Sequence, residues 1–354
     1  MNVADFDYDL PASYIAQSPA EPRDSARLLR LDRQSGAISH SVFSNIVDLL
    51  RRDDVLLLNN TRVIPARLRA LKLTGGKVEI LLLKRLSARR WQALVGGRGI
   101  RPSLRLRIDD SDITCTIVEQ LEMSQRVIDF SEPIDDELPR LGEMPLPPYI
   151  HSKLRECERY QTVYSEIDGS AAAPTAGLHF TPELLGKLED KGVKLATCTL
   201  RIGLDTFQPV SAKRVRDHKM HREHAALDSG NAAIINEGRR AGGRVIAVGT
   251  TSARTLETAA ILSAGGRVDK PRSDNERANA FPIRAFRQDT SLFIYPGYRW
   301  RAVDAMITNF HLPRSTLLMM LSAFAGRETL LAAYEVAKQA GYRFYSFGDA
   351  MFIT

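Results

Sequence analysis

Hydrophobic and polar positions follow two different patterns along the chain. In the C-terminal two thirds, short apolar runs over residues 193–200, 245–248 and 306–307 alternate with longer segments of helical character. The run over residues 55–58 is equally apolar and fits the same sheet. Apolar strands that alternate with helices are typical of parallel sheets buried on both faces. This part therefore predicts an α/β domain with a mostly parallel sheet and helices on both faces.

Capping residues indicate where the helices begin and end. Thr181 precedes Pro182, as expected for a hydroxyl cap followed by proline at the first helical position, and Gly192 is a suitable stop. Further helices are predicted over residues 231–241, 252–264 and 317–325, a last strand over residues 342–347, and a long polar surface excursion over residues 265–290.

A different texture marks residues 64–144. Short β-prone runs over residues 77–83, 91–95 and 113–118 are separated by glycine pairs, which predicts a small antiparallel β-barrel. A proline-rich segment at residues 144–149 cannot form a regular helix or a central strand. The sequence thus predicts one α/β domain, residues 1–63 and 145–354, interrupted by an inserted barrel domain, residues 64–144.

Composition and charge limit the class of protein. The chain has 354 residues, of which 44% are hydrophobic and 26% charged, which is typical of globular protein and excludes a disordered or collagen-like chain. The net charge is +7, but twelve Lys/Arg and one acid occupy residues 67–107, followed by eleven acids and two arginines in residues 109–143. A basic segment of this kind favours a polyanionic partner, although a well-solvated surface would have the same composition.

Cysteine usage and targeting signals point to a reducing compartment. The three cysteines are widely spaced and form no CxxC pair, so neither a disulfide framework nor a thiolate zinc site is indicated. The N-terminus lacks the features of a signal peptide, and the apolar stretch at residues 317–326 is too short to cross a bilayer. We expect a cytoplasmic monomer without a membrane partner.

Polar loops follow four of the predicted strands, at residues 59–62, 199–207, 249–254 and 308–311. Open parallel sheets bind ligands at the carboxyl ends of their strands, so these loops predict a site. The turn at Gly249, Thr250 and Thr251 offers amides and hydroxyls suited to a carboxylate or phosphate, with a plain helix cap as the alternative.

Histidines supply two further candidates. His179 lies in a run of small residues, where it is either an acid/base group or a half-buried structural histidine. His218, His221 and His224 form HxxHxxH, but basic residues interleave them and oppose a divalent cation, so no metal site is predicted. A basic loop that faces a ligand fits this segment better.

Seven strings resemble the S-adenosylmethionine:tRNA ribosyltransferase-isomerases of queuosine biosynthesis, and they follow the family order over nearly the whole chain. They are NNTRVIPARL (59–68), MPLPPYI (144–150), ERYQTVYS (158–165), AAPTAGLHFT (172–181), RVIAVGTTSARTLE (244–257), TNFHLPRSTLLMM (308–320) and YRFYSFGDAM (342–351). The resemblance implies an α/β domain with an inserted barrel. It also implies transfer and isomerisation of the ribosyl group of S-adenosylmethionine onto 7-aminomethyl-7-deazaguanine at the tRNA wobble position. S-adenosylmethionine is then a consumed co-substrate, no cofactor is retained, and tRNA is the partner.

This chemistry needs acid/base groups, a carboxylate-binding element and a basic surface. We expect His179 to be the first acid/base candidate, followed by Asp205 and His221. We expect the methionine carboxylate to be held by Thr250, Thr251 and Arg254. The remaining predicted substrate-binding residues are Asn60, Thr61, Arg62, Arg67, Thr175, Gly177, Arg201, Asn309 and His311.

One motif departs from the family pattern. Relatives read TLHVGxGTF where this chain has TLRIGLDTF at residues 199–207. Arg201 cannot act as a base, and an ion pair between Arg201 and Asp205 would compensate for both changes. Two other functions stay open: a non-catalytic tRNA-binding relative, and an S-adenosylmethionine-dependent tRNA methyltransferase. The methyltransferase lacks support because no glycine-rich loop follows the first strand.

Overall fold

The computed structural model describes residues 1–152, 154, 156–203, 210–269 and 282–354. Its contacts divide the chain into two compact units. The larger unit comprises Met1–Thr61, Pro148–Ile167 and Pro174–Thr354, and the smaller comprises Arg62–Pro147 and Asp168–Ala173. The domain boundaries expected from the sequence, after residues 63 and 144, remain predictions.

A nine-stranded sheet forms the centre of the larger unit. In spatial order its strands are β15 (Phe286–Thr290), β13 (Glu223–Leu227), β12 (Lys194–Leu200), β3 (Val55–Asn59), β14 (Val245–Val248), β16 (Ala305–Asn309), β17 (Ala350–Ile353), β1 (Arg27–Leu31) and β2 (Ile38–Val42). Strands β12, β3, β14 and β16 run parallel, as do β17 and β1. The other four neighbouring pairs are antiparallel, so the sheet is mixed and the prediction of a mostly parallel sheet is not confirmed.

Both faces of this sheet are covered. Successive residues of a strand point to opposite faces, and Leu57 accordingly packs into one buried cluster while Leu56 and Leu58 pack into the other. Leu256 of α5 (Gly249–Ser263) lies in the first cluster, and Leu184 of α3 (Pro182–Asp190) lies in the second. The apolar runs in the sequence reflect this burial on two sides.

The remaining helices of this unit are α1 (Ile46–Leu49), α4 (Ser229–Arg240), α6 (Thr316–Ala325) and α7 (Arg327–Gln339). The predicted start of α3 is confirmed, because Thr181 Oγ1 accepts a hydrogen bond of 3.1 Å from Leu184 N. Within the described ranges, no single helix is long and apolar enough to span a membrane; α6 and α7 meet that test only as a pair bent by 110°.

The predicted strand over residues 342–347 is wrong. The chain there turns irregularly, with Tyr345 at a φ of +76°, and the strand forms later as β17. Tyr342 and Phe344 are nevertheless buried, which explains the apolar pattern. Asp349 holds the turn through its carboxylate, which accepts hydrogen bonds from Arg343 N at 2.8 Å and Arg27 N at 3.0 Å. The polar excursion over residues 265–290 likewise contains β15, and residues 270–281 lie outside the described part.

The smaller unit contains a closed antiparallel barrel, as predicted. Its strands in order are β10 (Gln125–Phe130), β7 (Arg90–Gly96), β6 (Lys77–Arg85), β5 (Arg67–Lys72), β8 (Arg105–Ile108) and β9 (Thr114–Gln120). Alternate residues such as Leu68, Ile80 and Leu106 are buried inside it. Helix α2 (Leu138–Leu141) follows the barrel strands, and a two-stranded sheet pairs β4 (Thr61–Val63) with β11 (Ile167–Ser170).

Candidate active site at the carboxyl ends of the central strands

Two asparagines fix the end of β3. Asn59 Nδ2 donates to Leu200 O at 3.1 Å, and Asn59 Oδ1 accepts from Leu200 N at 3.0 Å, which ties the end of β3 to the end of β12. Asn60 is 7% exposed; its Oδ1 accepts from Thr199 Oγ1 at 2.8 Å, and its Nδ2 donates to Glu166 Oε2 at 3.3 Å. The predicted residue Asn60 therefore belongs to a rigid polar network at this edge of the sheet.

The start of α5 offers an uncapped set of backbone amides. Gly249 follows β14 directly and takes a φ of +85°, which favours glycine, and no side chain caps the helix. Thr250 is buried beside it, and Thr251 Oγ1 is buried without a hydrogen-bond partner among the described residues. Free amides at a helix N-terminus together with an unpartnered hydroxyl suit an anionic ligand group.

Arg254, predicted to bind a carboxylate, is held by protein acceptors in the structure. Its Nη1 donates to Glu223 Oε2 at 2.5 Å, while its Nη2 donates to His221 O at 3.2 Å and to Thr290 O at 3.1 Å. Both terminal nitrogens thus serve protein acceptors, Arg254 is only 4% exposed, and its Nε is buried without a hydrogen-bond partner among the described residues. Glu223 also accepts from Gly203 N at 3.0 Å, so the buried pair positions the loop after β12.

His179 lies in a 3₁₀ turn, Thr175–His179, and contacts the end of β16. Asn309 Oδ1 accepts from Thr175 Oγ1 at 2.9 Å, which directs its Nδ2 towards His179 Nε2 at 3.4 Å. The amide can only donate at this contact, so Nε2 is the unprotonated nitrogen of a neutral ring. The imidazole packs on Phe43 with 5.0 Å between ring centroids. The structure therefore brings Thr175, His179 and Asn309 together.

Burial keeps the site histidines neutral. It lowers the pKa of His179 from 6.5 to about 4, with the charge of Arg343 acting in the same direction and a hydrogen bond to the backbone of Arg23 opposing it. Burial also lowers the pKa of His311 to about 3. His311 Nε2 lies 2.9 Å from Thr308 Oγ1, so this side chain is held inside its loop.

Four other predicted residues have surroundings that differ from those of this group. Arg62 and Arg67 belong to the barrel unit, where Arg67 pairs with Glu79 at 3.1 Å. Arg201 is exposed and its backbone N donates to His224 O at 3.0 Å, whereas Asp205 lies outside the described residues.

The HxxHxxH segment places its side chains at an exposed or half-buried surface. His221 is exposed, and burial together with the neighbouring His221 lowers the pKa of His218. Among the described residues, no group of three or more His, Cys, Asp or Glu side chains could hold a metal ion.

Sequence reasoning missed two buried hydroxyls, those of Thr162 and Tyr164. Thr162 Oγ1 and Tyr164 Oη are buried without hydrogen-bond partners among the described residues, as is Oγ1 of the predicted residue Thr61. A Cβ added at Gly177 would overlap Tyr164 Oη and approach Thr162 Cγ2 to 2.9 Å, so the predicted residue Gly177 makes room for the phenol. Burial raises the pKa of Tyr164, which therefore remains a hydrogen-bond donor. The string ERYQTVYS contained both residues, but a tyrosine in an apolar context predicts core packing equally well.

With this geometry in hand, comparison with known proteins gives the class. The family model described as queuosine biosynthesis protein matches residues 3–353, and the chain belongs to this family. A curated relative from Symbiobacterium thermophilum, named S-adenosylmethionine:tRNA ribosyltransferase-isomerase, is 50% identical over 100% of both chains. The crystal structure of an S-adenosylmethionine tRNA ribosyltransferase from Thermotoga maritima is similar with a TM-score of 0.55 and 37% identity, covering 99% of this chain and 100% of that one. The resemblance seen in the sequence is thereby confirmed.

Proposed function

We propose that this protein transfers and isomerises the ribosyl group of S-adenosylmethionine onto 7-aminomethyl-7-deazaguanine at the wobble position of tRNA. The products are epoxyqueuosine-tRNA, adenine and methionine. The observation that carries the proposal is 50% identity to the curated relative over the full length of both chains. In this role the protein acts as a cytoplasmic monomer, and S-adenosylmethionine is consumed, so the reaction retains no cofactor.

The chemistry proceeds in steps that a neutral buried base can serve. The sulfonium acidifies the adjacent 5′-carbon of the ribose, and a base removes that proton. The electron pair left on C5′ breaks the ring C4′–O4′ bond, and O4′ forms a carbonyl at C1′ as the C1′–N bond to adenine breaks; adenine takes up a proton. The neutral amine of the modified base condenses with this carbonyl and releases water, and addition of water at C4′ returns a carbanion at C5′ that bonds to C1′ and closes the carbon ring. The C4′ oxygen then displaces methionine from C5′ and closes the epoxide.

His179 is our first candidate for that base. Its neutral ring presents an unprotonated Nε2, and its amide contact of 3.4 Å with Asn309 is long enough for a substrate proton to compete. Because the pKa of His179 is lowered to about 4, the imidazolium formed by proton abstraction is a strong acid that can protonate the leaving adenine. Asp205 and His221 stay as the alternative acid/base groups.

The start of α5 is our candidate for the methionine carboxylate. The first-turn amides and the hydroxyls of Thr250 and Thr251 would accept an anionic group, and Arg254 would act through the loops that it holds rather than by contact. In the larger unit, Asn60, Asn309 and His311 would shape the ribose and base pockets, and Thr61, Thr175, Gly177 and Arg201 are further candidates for substrate binding. Arg62 and Arg67 stay substrate-binding candidates of the smaller unit.

One incubation with S-adenosylmethionine and precursor tRNA tests the proposal. Release of adenine and methionine supports it, whereas S-adenosylhomocysteine would indicate a methyltransferase and the absence of any product a binding protein. A His179→Ala variant tests the assigned base. We expect its turnover to fall strongly while its tRNA affinity stays near the wild-type value, and wild-type turnover in this variant would exclude His179 as the base.

A further inference from the structure

The barrel separates its basic side chains into a neutralised set and an unneutralised set. Four arginines form ion pairs, three of them with acids from the acidic stretch of residues 109–143. The pairs are Arg67–Glu79 at 3.1 Å, Arg69–Glu143 at 2.5 Å, Arg85–Asp135 at 3.1 Å and Arg90–Asp129 at 3.3 Å. The acidic stretch therefore cancels part of the positive charge directly.

Strand β8 carries basic side chains that the acids do not reach. Arg105 and Arg107 alternate with the buried Leu106 and Ile108, so both guanidinium groups face outward. Neither has an acidic partner within 4.0 Å among the described residues. Two exposed cations on one face of a short strand, about 7 Å apart, form a concentrated positive charge.

Strand register extends this charge across the barrel. Arg107 lies opposite Leu71 on β5, and Leu71 lies opposite Lys77 on β6, so Lys77 and Arg107 flank one apolar residue on the outer face. Adjacent strands are about 4.8 Å apart, which places the two cations about 10 Å from each other.

The loop between β7 and β8 adds to the same region. Lys72 Nζ donates to Arg98 O, which holds the loop against β5, and Arg101 begins a turn in which Leu104 N donates to Arg101 O at 3.2 Å. We call the set formed by Lys77, Arg98, Arg101, Arg105 and Arg107 the basic face.

We propose that the basic face binds backbone phosphates of the tRNA. Like charges held close together repel one another, and a polyanion relieves this repulsion while it releases its own counterions. Four of the five cations are arginines, whose planar guanidinium matches phosphate oxygens in pairs. The inference rests on the proposed function, since that function supplies tRNA as the polyanion.

Substitution of β8 alone tests this surface. In an Arg105→Ala/Arg107→Ala variant, tRNA affinity measured at several salt concentrations should fall roughly tenfold to hundredfold near 0.1 M salt. The slope of log K against log salt should become shallower by about 0.7–0.9 for each phosphate that is no longer neutralised. Turnover at saturating tRNA should remain near wild type, because the surface binds RNA and does not touch the reacting atoms.

The neutralised arginines supply a matched control. Arg69→Ala/Arg90→Ala removes two arginines of the same barrel, and we expect its affinity and salt slope to stay close to the wild-type values. Circular dichroism and melting temperature should be unchanged in both variants because the side chains are exposed. An Arg105→Lys/Arg107→Lys variant should recover the salt slope, since charge is retained.

Three results would be decisive against the inference or its premise. Wild-type affinity and slope in the Arg105→Ala/Arg107→Ala variant, with an active wild-type enzyme, would overturn the basic face and leave the proposed function intact. Equal losses in the control variant would overturn it as well, because neutralised arginines would then contribute as much. Failure of the wild-type protein to bind tRNA at all would overturn both.

Discussion

The buried neutral state of His179 leads to a quantitative prediction about acid stability. The pKa of His179 is lowered from 6.5 to about 4 in the folded protein. At a pH between these two values, His179 is therefore protonated in the unfolded chain and neutral in the folded protein. Stability is therefore complete above the unfolded pKa and is lost as the pH falls from 6.5 to about 4. The free energy of unfolding falls by about 3.4 kcal/mol in total, and it has fallen by about 2 kcal/mol at pH 5.

The perturbation is a His179→Gln substitution, which keeps a polar side chain but removes the titration. Urea unfolding at about pH 7.5 and about pH 5 gives the stability difference for each variant. The wild type should lose about 2 kcal/mol more than His179→Gln between the two conditions. The chain has two tryptophans, one in each unit, and Trp300 lies in the larger one. A Trp91→Phe background therefore confines the fluorescence signal to the unit that contains His179.

An exposed histidine supplies the control for this measurement. His151 lies at the surface, so His151→Gln should lose the same stability as the wild type between the two conditions. Identical losses for the wild type and His179→Gln would refute the argument, because they would mean that His179 titrates normally in the folded protein.

Two further predictions concern other buried groups of the larger unit. Tyr164→Phe removes a buried hydroxyl that has no partner in the described residues, so the melting temperature of the free protein should not fall. The KM for S-adenosylmethionine should rise about tenfold. An unchanged KM would show that the phenol serves packing alone, and Tyr295→Phe is the matched control. Glu223→Gln leaves the buried charge of Arg254 uncompensated and should cost about 3–5 kcal/mol in urea unfolding. A Glu223→Leu/Arg254→Met double variant should recover much of that loss, and a loss as large as that of Glu223→Gln would contradict the reasoning.

The sequence predicted those elements of the fold that depend mainly on interactions between residues close together in the chain. The cap at Thr181 and the strand at residues 245–248 are examples, since a hydroxyl at a helix start and a four-residue apolar run depend on few distant contacts. The failure at residues 342–347 has the opposite cause. Tyr342 and Phe344 are buried in a turn that distant residues hold, so their apolar pattern reports burial and not strand pairing.

The candidate site shows the same limit. Strand ends and the turn before α5 were predictable, because polar residues after apolar runs collect at one edge of a sheet. The ion pair of Arg254 was not predictable, since Arg254 lies on α5 and its partner Glu223 lies on β13, 31 residues away. Tyr164 was missed for a related reason: its sequence context shows that the ring is buried but not that its hydroxyl lacks a partner.

The position of β17 governs how the sheet is completed. It lies between β16 and β1, so in the described part of the chain β1 and β2 join the sheet through β17. The hydrogen bond between Arg27 and Asp349 closes a loop of 322 residues. Closing a loop of this length costs chain entropy, so we expect β1 and β2 to join the sheet after β3, β14 and β16 have paired. Amides of β1 should accordingly gain protection from hydrogen exchange after those of β3 and β14, and the sheet edge that β1 and β2 have not yet covered is where self-association would begin.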